Sequence, residues 1–217
     1  MTDTTERWNS VYDDDTAPWV IGRPQPAVVE LERAGGFTGR VLDVGCGAGE
    51  HTVLLTARGH DVLGVDFAPS AVGYARRTAA ARGVPEARFA VADALTLGAD
   101  PHFTGVYDTV LDSALFHIWG TEPELRARYV RSLHGALRPG GVLRLLALSD
   151  AEPGFGPRIS ADTIRGAFTD GWDLNSLEPA RYLGRVTPAV ADNVAGLAVT
   201  PEGLIDAAAW IAEIRRS

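Results

Sequence analysis

Cysteine is almost missing from this chain. Cys46 stands alone, so no disulfide can close within it and a bridge-dependent secreted scaffold is excluded. With no second cysteine and no flanking histidine at ligand spacing, a zinc site and a redox pair lack their partners. Basic residues are scarce as well. Lys and Arg number 20 against 28 Asp and Glu, a net charge of −8, and nowhere do they gather into a stripe that tracks a phosphate backbone, so nucleic acid is not an expected partner. Long apolar runs are absent too: Val142–Leu148, interrupted by Arg144, and Ala207–Ala212 fall far short of a membrane span, and no membrane partner is expected. The opening Met-Thr-Asp-Thr-Thr-Glu-Arg lacks the basic and apolar regions of a secretion leader, which reads as a cytoplasmic protein. Asp13, Asp14 and Asp15 form an acidic run with none of the remaining ligands of a cation site nearby, so they read as solvated loop charge and no metal is expected.

What is present suits one globular domain: 217 residues, 46% of them hydrophobic, with a mean hydropathy near zero. Val41–Val44 is a short β-rich run, and residues 51–58 follow at helical spacing up to Gly59. Asp61–Asp66 reads as a second strand, after which Pro69 opens a helix over 70–82 that Gly83 closes. The alternation continues with strands at 87–92, 107–111, 141–148 and 172–177 and helices at 122–137 and 161–168. The closing element, 207–215, reads equally as helix or strand. Strands apolar on both faces imply a parallel sheet covered by helices on each side. Residues 1–35 and 183–206 read as additions around that sheet.

In an open parallel sheet the ligand sits beyond the carboxyl ends of the strands, so the residues just after each strand carry the information. After the first comes Asp43-Val44-Gly45-Cys46-Gly47-Ala48-Gly49, a turn in which glycines accept positive φ and expose bare main chain to a nucleotide-like ligand. After the second comes Asp66-Phe67, after the third Asp93-Ala94, and after the fourth Asp112-Ser113-Ala114-Leu115-Phe116-His117. Asp66 lies 21 residues beyond Gly45, the separation at which a carboxylate accepts from both ribose hydroxyls, although it also sits where a helix cap would. Asp93 can accept from an exocyclic adenine amine, with the Ala94 N–H near a ring nitrogen and Phe67 over the ring face; a cap and a core aromatic are the plainer readings. A dinucleotide fingerprint counted from Gly45 needs glycine at position 50, which is Glu50, and a carboxylate there opposes a pyrophosphate.

Taken in order, these residues resemble the class I S-adenosylmethionine-dependent methyltransferases over roughly residues 37–150. Asp43–Gly49 fits that family's acidic-x-Gly-x-Gly-x-Gly signature, Asp66 and Asp93 match its ribose and adenine positions, and Arg138-Pro139-Gly140-Gly141 matches the turn before its fifth strand. The resemblance implies an α/β, Rossmann-like, doubly wound and mostly parallel sheet of about seven strands, the last antiparallel. It implies S-adenosyl-L-methionine as cofactor and S-adenosyl-L-homocysteine as product, with Gly45, Cys46 and Gly47 at the cofactor's amino-acid end and Asp112 also among the cofactor-binding residues. It divides the chain into an N-terminal lid or strap (1–35), a cofactor-binding core (36–150) and a C-terminal part (151–217) that completes the sheet and the substrate pocket. Tyr12, Trp19 and Arg23 of the strap are then expected near the carboxylate and sulfonium, where a cation–π contact is worth roughly 0.5–2 kcal/mol.

The stretch Asp112-Ser113-Ala114-Leu115 departs from the Asp/Asn-Pro-Pro-aromatic run of subfamilies that methylate amino groups of nucleobases or glutamine. The remaining expectation is a small aromatic or heterocyclic acceptor, methylated on a hydroxyl, or on a ring nitrogen or thiol, and held by Trp19, Ser113, Phe116 and His117. His117 is the candidate base for an acceptor that must lose a proton, or else only a pocket wall. A nicotinamide-dependent reductase and a cofactor-binding protein without turnover are the alternatives, and monomer and homodimer are both open.

Overall fold

The structure, a computed structural model, describes residues 2–188, 190, 191 and 196–217. Two helices, α1 (Thr2–Asp13) and α2 (Pro26–Arg33), precede the first strand, β1 (Arg40–Val44). There follow α3 (Glu50–Ala57), β2 (Asp61–Asp66), α4 (Pro69–Ala81), β3 (Arg88–Val91), β4 (Tyr107–Ser113), α5 (Pro123–Ala136), β5 (Leu137–Leu148), α6 (Ala161–Ala167), β6 (Trp172–Arg185) and β7 (Leu204–Arg216). The sheet has the order β3-β2-β1-β4-β5-β7-β6, with β7 antiparallel to both neighbours and every other pairing parallel. This is the doubly wound sheet expected from the sequence.

Burial on both faces follows from strand alternation. Leu42, Val44, Val110, Leu143 and Leu145 pack with Tyr129 and Leu133 of α5 and Ile164 of α6, while Val41, Leu111, Leu146 and Leu148 pack with Val28 of α2 and Leu55 of α3. Proline opens α2, α4 and α5, where its missing N–H is not needed. Arg144, the charge inside the most apolar strand, is neutralised by Glu213 directly across on β7 and donates through Nε to Gly36 O at 2.9 Å.

The ambiguous closing element is a strand. Ala207, Ala209 and Ala212 would suit a helix by propensity, but β7 lies between β5 and β6, where small side chains fit a strand covered on both faces. Strand β6 runs to Arg185, well past the expected end at 177, because an edge strand tolerates Pro179 and Gly184. Arg138–Gly141 is not a turn before β5 but an excursion inside it: Tyr107 pairs with Leu137 and Thr109 with Val142, leaving Gly140 at φ +78°. Part of the 183–206 addition falls outside the described residues.

Register aligns the strand ends. Val44 pairs with Val65 and with Asp112, Asp66 pairs with Val91, and Ser113 pairs with Leu146. The segments beginning at Gly45, Asp66, Ala92 and Ser113 therefore stand side by side along one edge.

Candidate active site

The turn after β1 is held by its neighbours before any ligand is considered. Gly45, Gly47 and Gly49 adopt φ of +68°, +52° and +80°, which L side chains rarely adopt. A Cβ on Gly49 would lie 2.8 Å from the Cβ of Ala75 and 2.9 Å from the Phe89 ring, so this glycine is required by close packing of α4 and β3 on the turn. Cys46 N–H donates to Val65 O at 2.9 Å and Gly47 N–H to Asp66 Oδ2 at 3.0 Å. Those two N–H groups are thus spent on the fold, and the Cβ side of Gly45 and of Gly47 is met by Leu115 and by Tyr12. Beneath it, Thr52 donates to the buried carboxylate of Asp43 at 2.6 Å; burial, chiefly, raises the pKa of Asp43 to about 7.

Asp66 is both cap and candidate ligand. Its Oδ1 accepts from Ala68 N–H at 2.9 Å, an Asx-type turn that starts α4, while Oδ2 holds Gly47. Burial raises its pKa and the N–H donors pull it back. Asp93 has the same form at the end of β3, with Oδ1 accepting from Leu95 N–H at 2.9 Å; Phe67 and Ala94 are half-buried at the same edge. The plain capping role and the ligand role coexist, because a carboxylate has about four lone-pair directions.

A strap crosses this edge. The side chain of Asn9 on α1 accepts from Ser70 N–H at 3.1 Å, which docks α1 on the start of α4. The Tyr12 hydroxyl lies 2.8 Å from where a Cβ on Gly47 would be and accepts from Trp19 Nε1–H at 3.0 Å. Tyr12, Ala17 and Val20 form an apolar cluster with Ala48 of the turn, Ala68 at the N-cap of α4 and Ala71 within it, flanked by Trp8, Trp19 and Tyr74. Further along, Gly22 N–H donates to Glu50 Oε1 at 3.0 Å and Gln25 N–H to His51 Nε2 at 3.1 Å. The strap is then fastened to β6. The buried amide of Gln25 donates to Leu183 O at 2.8 Å and accepts from Leu183 N–H at 2.8 Å, while Arg185 grips Asp15 through both carboxylate oxygens. Asp15 takes a left-handed φ of +53°, a conformation that aspartate tolerates better than most residues.

Arg23, expected near the cofactor's carboxylate, is exposed on the strap. His51 is neutral, its pKa lowered by burial to about 4, and the lone pair it offers holds Gln25.

Glu50, read in the sequence only as an obstacle to pyrophosphate, is a strap anchor. Burial raises its pKa from 4.5 to about 7, and Gly22 N–H and Arg82 oppose the shift. With the folded pKa above the unfolded one, its stabilising contribution is whole below about pH 4.5 and is lost as pH rises through 7. Glu50→Gln keeps an acceptor for Gly22 without the buried charge. It is expected to leave thermal stability unchanged at pH 5 and to raise it at pH 8.5, by at most about 3 kcal/mol. An equal effect at both pH values would contradict this account.

The end of β4 departs most from expectation. Asp112 is fully buried, and its carboxylate accepts from Leu115 N–H at 2.9 Å, from Phe116 N–H at 3.0 Å and from Tyr129 OH at 2.8 Å. Burial raises its pKa to about 6 against those donors. Its side chain therefore folds the loop and is not free for a cofactor. Phe116, expected on the acceptor, is a core residue with no exposed surface, packed on Tyr129 and Phe168. Ala114 sits at φ +72°, a strained conformation for alanine, and Leu115 packs where a Cβ on Gly45 would go. The Ser113 hydroxyl is buried and makes no hydrogen bond.

His117 lies in the 3₁₀ turn Phe116–Trp119 and is only 4% exposed. Beyond Ser113 the β4 ladder stops, and the open donor on β5, Leu148 N–H, is taken instead by His117 Nδ1 at 3.1 Å. Burial lowers the ring's pKa to about 4. A base poised near neutrality is not what this environment makes; the one free lone pair of the neutral ring is the one on Leu148.

Gln25, Tyr129 and Arg185 were not legible as site residues. Each acts through a partner more than a dozen residues away in sequence, and only the helix and strand pairings bring those partners near.

The fold and the strand-end constellation have known counterparts. The family described as methyltransferase domain matches residues 41–141. The 2-heptyl-1-hydroxyquinolin-4(1H)-one methyltransferase of Mycobacteroides abscessus is 32% identical over 206 residues, 92% of this chain and 88% of that protein. Thiocyanate methyltransferase 1 of Brassica oleracea is 30% identical over 81% of this chain and 77% of its own length. A solved structure concerning the conversion of a disulfide bond into a thioacetal group during echinomycin biosynthesis superposes with a TM-score of 0.82 at 35% identity, covering 99% of this chain and 92% of that one.

Proposed function

The chain belongs to the class I S-adenosylmethionine-dependent methyltransferases, and from that premise we propose that it methylates a small aromatic or heterocyclic acceptor, on a hydroxyl in the first instance and on a thiol or ring nitrogen in related ones. The observation that carries the small-molecule reading is the strap: Tyr12 and Trp19 rest on the glycine turn itself, and the segment that carries them is fastened to β6 through Gln25, so the turn is covered and not open to a broad surface. The relatives that act on a hydroxyquinolone and on thiocyanate support it.

The residues present fit S-adenosyl-L-methionine: a glycine turn after β1 with an aromatic strap over it, and carboxylates at the ends of β2 and β3 with an aromatic and an N–H beside them. In this reading Asp66 takes the ribose hydroxyls, Asp93, Ala94 and Phe67 take the adenine, and Gly45, Cys46 and Gly47 border the amino-acid end. Tyr12 and Trp19 cover the sulfonium. When bound, the cofactor supplies a methyl group already activated for displacement. The protein's work is alignment at about 3 Å and exclusion of water, which the strap performs by packing over the turn. The nicotinamide alternative falls with the family assignment.

The test is incubation with isotopically labelled methyl donor and a panel of phenols, quinols, N-hydroxy heterocycles, azoles and thiols. Transfer to at least one of these is expected. Failure across the panel, with S-adenosylhomocysteine still bound in calorimetry, would favour a cofactor-binding protein without turnover.

A further inference from the structure

The expected base at the end of β4 is engaged in a way that fixes its chemistry. His117 Nδ1 accepts a hydrogen bond from Leu148 N–H, and a neutral imidazole has one N–H and one lone pair. With the lone pair committed at Nδ1, the proton is on Nε2. A second proton could enter only at Nδ1, which would break the bond to Leu148 and place a charge in a buried site; burial has lowered the ring's pKa accordingly. The polar groups on the surrounding elements secure the turn. Asp112 of β4 and Tyr129 of α5 bond beneath it, Arg126 of α5 donates to Trp119 O at 3.0 Å and to Gly120 O at 2.7 Å, and Asp150 lies beyond β5, its N–H on Ile159 O. A second neutral donor belongs to the same strand end: Ser113, whose buried hydroxyl has no partner, pairs with Leu146, two positions before Leu148 on β5.

We propose that the acceptor binds as its conjugate anion, an acidic hydroxyl or thiol that has already lost its proton to solvent, and that His117 Nε2–H, with the Ser113 hydroxyl, is the fixed donor that meets its charge. This deepens the methyltransferase reading and rests on it. The balance needs no base: a lone pair of the acceptor anion forms the bond to the methyl carbon as the carbon–sulfur bond breaks and its electron pair stays on sulfur. Anion and sulfonium neutralise each other, and His117 keeps its proton throughout. His117 is then a specificity residue that favours acidic acceptors, N-hydroxy heterocycles, acidic phenols and thiols, over alcohols.

The test uses the whole protein with a series of nitro-substituted phenols and thiophenols of graded acidity. The first readout is independent of turnover: with S-adenosylhomocysteine present, the absorbance of bound 4-nitrophenol is titrated with pH. The bound phenol is expected to ionise at least tenfold more readily than the free one. In kcat/KM, the acid limb is expected to move with each acceptor's own pKa. Nitrogen-15 spectra should show His117 protonated at Nε2 and not titrating between pH 5 and 8.

His117→Asn keeps an acceptor for Leu148 N–H and removes the N–H at the Nε2 position. It should remain folded, lose the shift of the bound phenol and lower kcat/KM by about 10–100-fold, and His117→Gln, which places an N–H near the old Nε2, should recover part of it. An acid limb fixed at one pH for every acceptor and abolished in His117→Asn would overturn the proposal in favour of a base. An unaltered phenol shift and rate in that variant would reduce the ring to a wall. If S-adenosylhomocysteine gives no heat at all, the methyltransferase reading itself fails, which is separable from either result.

Discussion

Asp66→Ala is expected to lower the affinity for S-adenosylhomocysteine by about 10²–10³-fold and to destabilise the fold by about 2 kcal/mol. The two effects have distinct origins. The carboxylate accepts from Gly47 N–H and Ala68 N–H, so truncation leaves the turn and the start of α4 each with an unpaired donor. Part of that loss is offset, because burial already disfavours the ionised form. The cofactor term is larger: two hydroxyl hydrogen bonds to a charged acceptor are worth about 1.5–3 kcal/mol each. Asp66→Asn divides the two. Its amide still serves Ala68 but turns an NH₂ toward Gly47 or toward the ligand, so stability should recover more than affinity. Calorimetry for binding and thermal denaturation for stability read them independently, and a variant that binds as tightly as the parent protein would remove Asp66 from the cofactor site.

Gln25→Ala is expected to be the most damaging change outside the sheet, at about 2–4 kcal/mol, or roughly 5–15 °C in Tm. The side chain is 2% exposed and bonds both the N–H and the C=O of Leu183, in effect adding one amide to the free edge of β6. Alanine leaves both backbone groups buried and unpaired. Because the backbone N–H of Gln25 also rests on His51, the strap would loosen over the glycine turn, and the KM for S-adenosylmethionine should rise together with the loss of stability. Gln25→Glu places a carboxylate oxygen against Leu183 O and should be nearly as damaging, whereas a purely steric role would leave it close to the parent protein. A Tm within 1–2 °C of the parent for Gln25→Ala would contradict the fastening.

The strand-end half of the site was readable because it depends on local order. A β-rich run into glycines at Gly45–Gly49, an aspartate at the right spacing in Asp66, and proline-opened helices are all written within a few residues of one another, and the sheet aligns them by register. The strap half was readable only in composition: Trp8, Tyr12 and Trp19 marked residues 1–35 as folded, but neither α1, α2 nor the amide of Gln25 could be placed, since their partners lie on α4 and β6. His117 stayed open between base and pocket wall for a related reason. The sequence puts an imidazole at a strand end, but its chemistry is decided by which nitrogen finds Leu148 N–H, a contact between elements 31 residues apart. Asp112 and Phe116 look like pocket residues in sequence and are drawn into the core by Tyr129, which no spacing rule connects to them. Strand β7 shows the same limit in the fold, its alanines obeying sheet context over helical propensity.

The central claim is that the glycine turn, the end of β2 and the strap over them form one ligand site. Amide hydrogen exchange followed by mass spectrometry, with and without S-adenosylhomocysteine, addresses it directly. The account predicts slowed exchange in three separate stretches at once, residues 43–53, 64–70 and 8–25, with Gly22 and Gln25 among the protected amides. Protection of the first two with the strap unchanged, or protection centred elsewhere such as the loop 149–158, would contradict it.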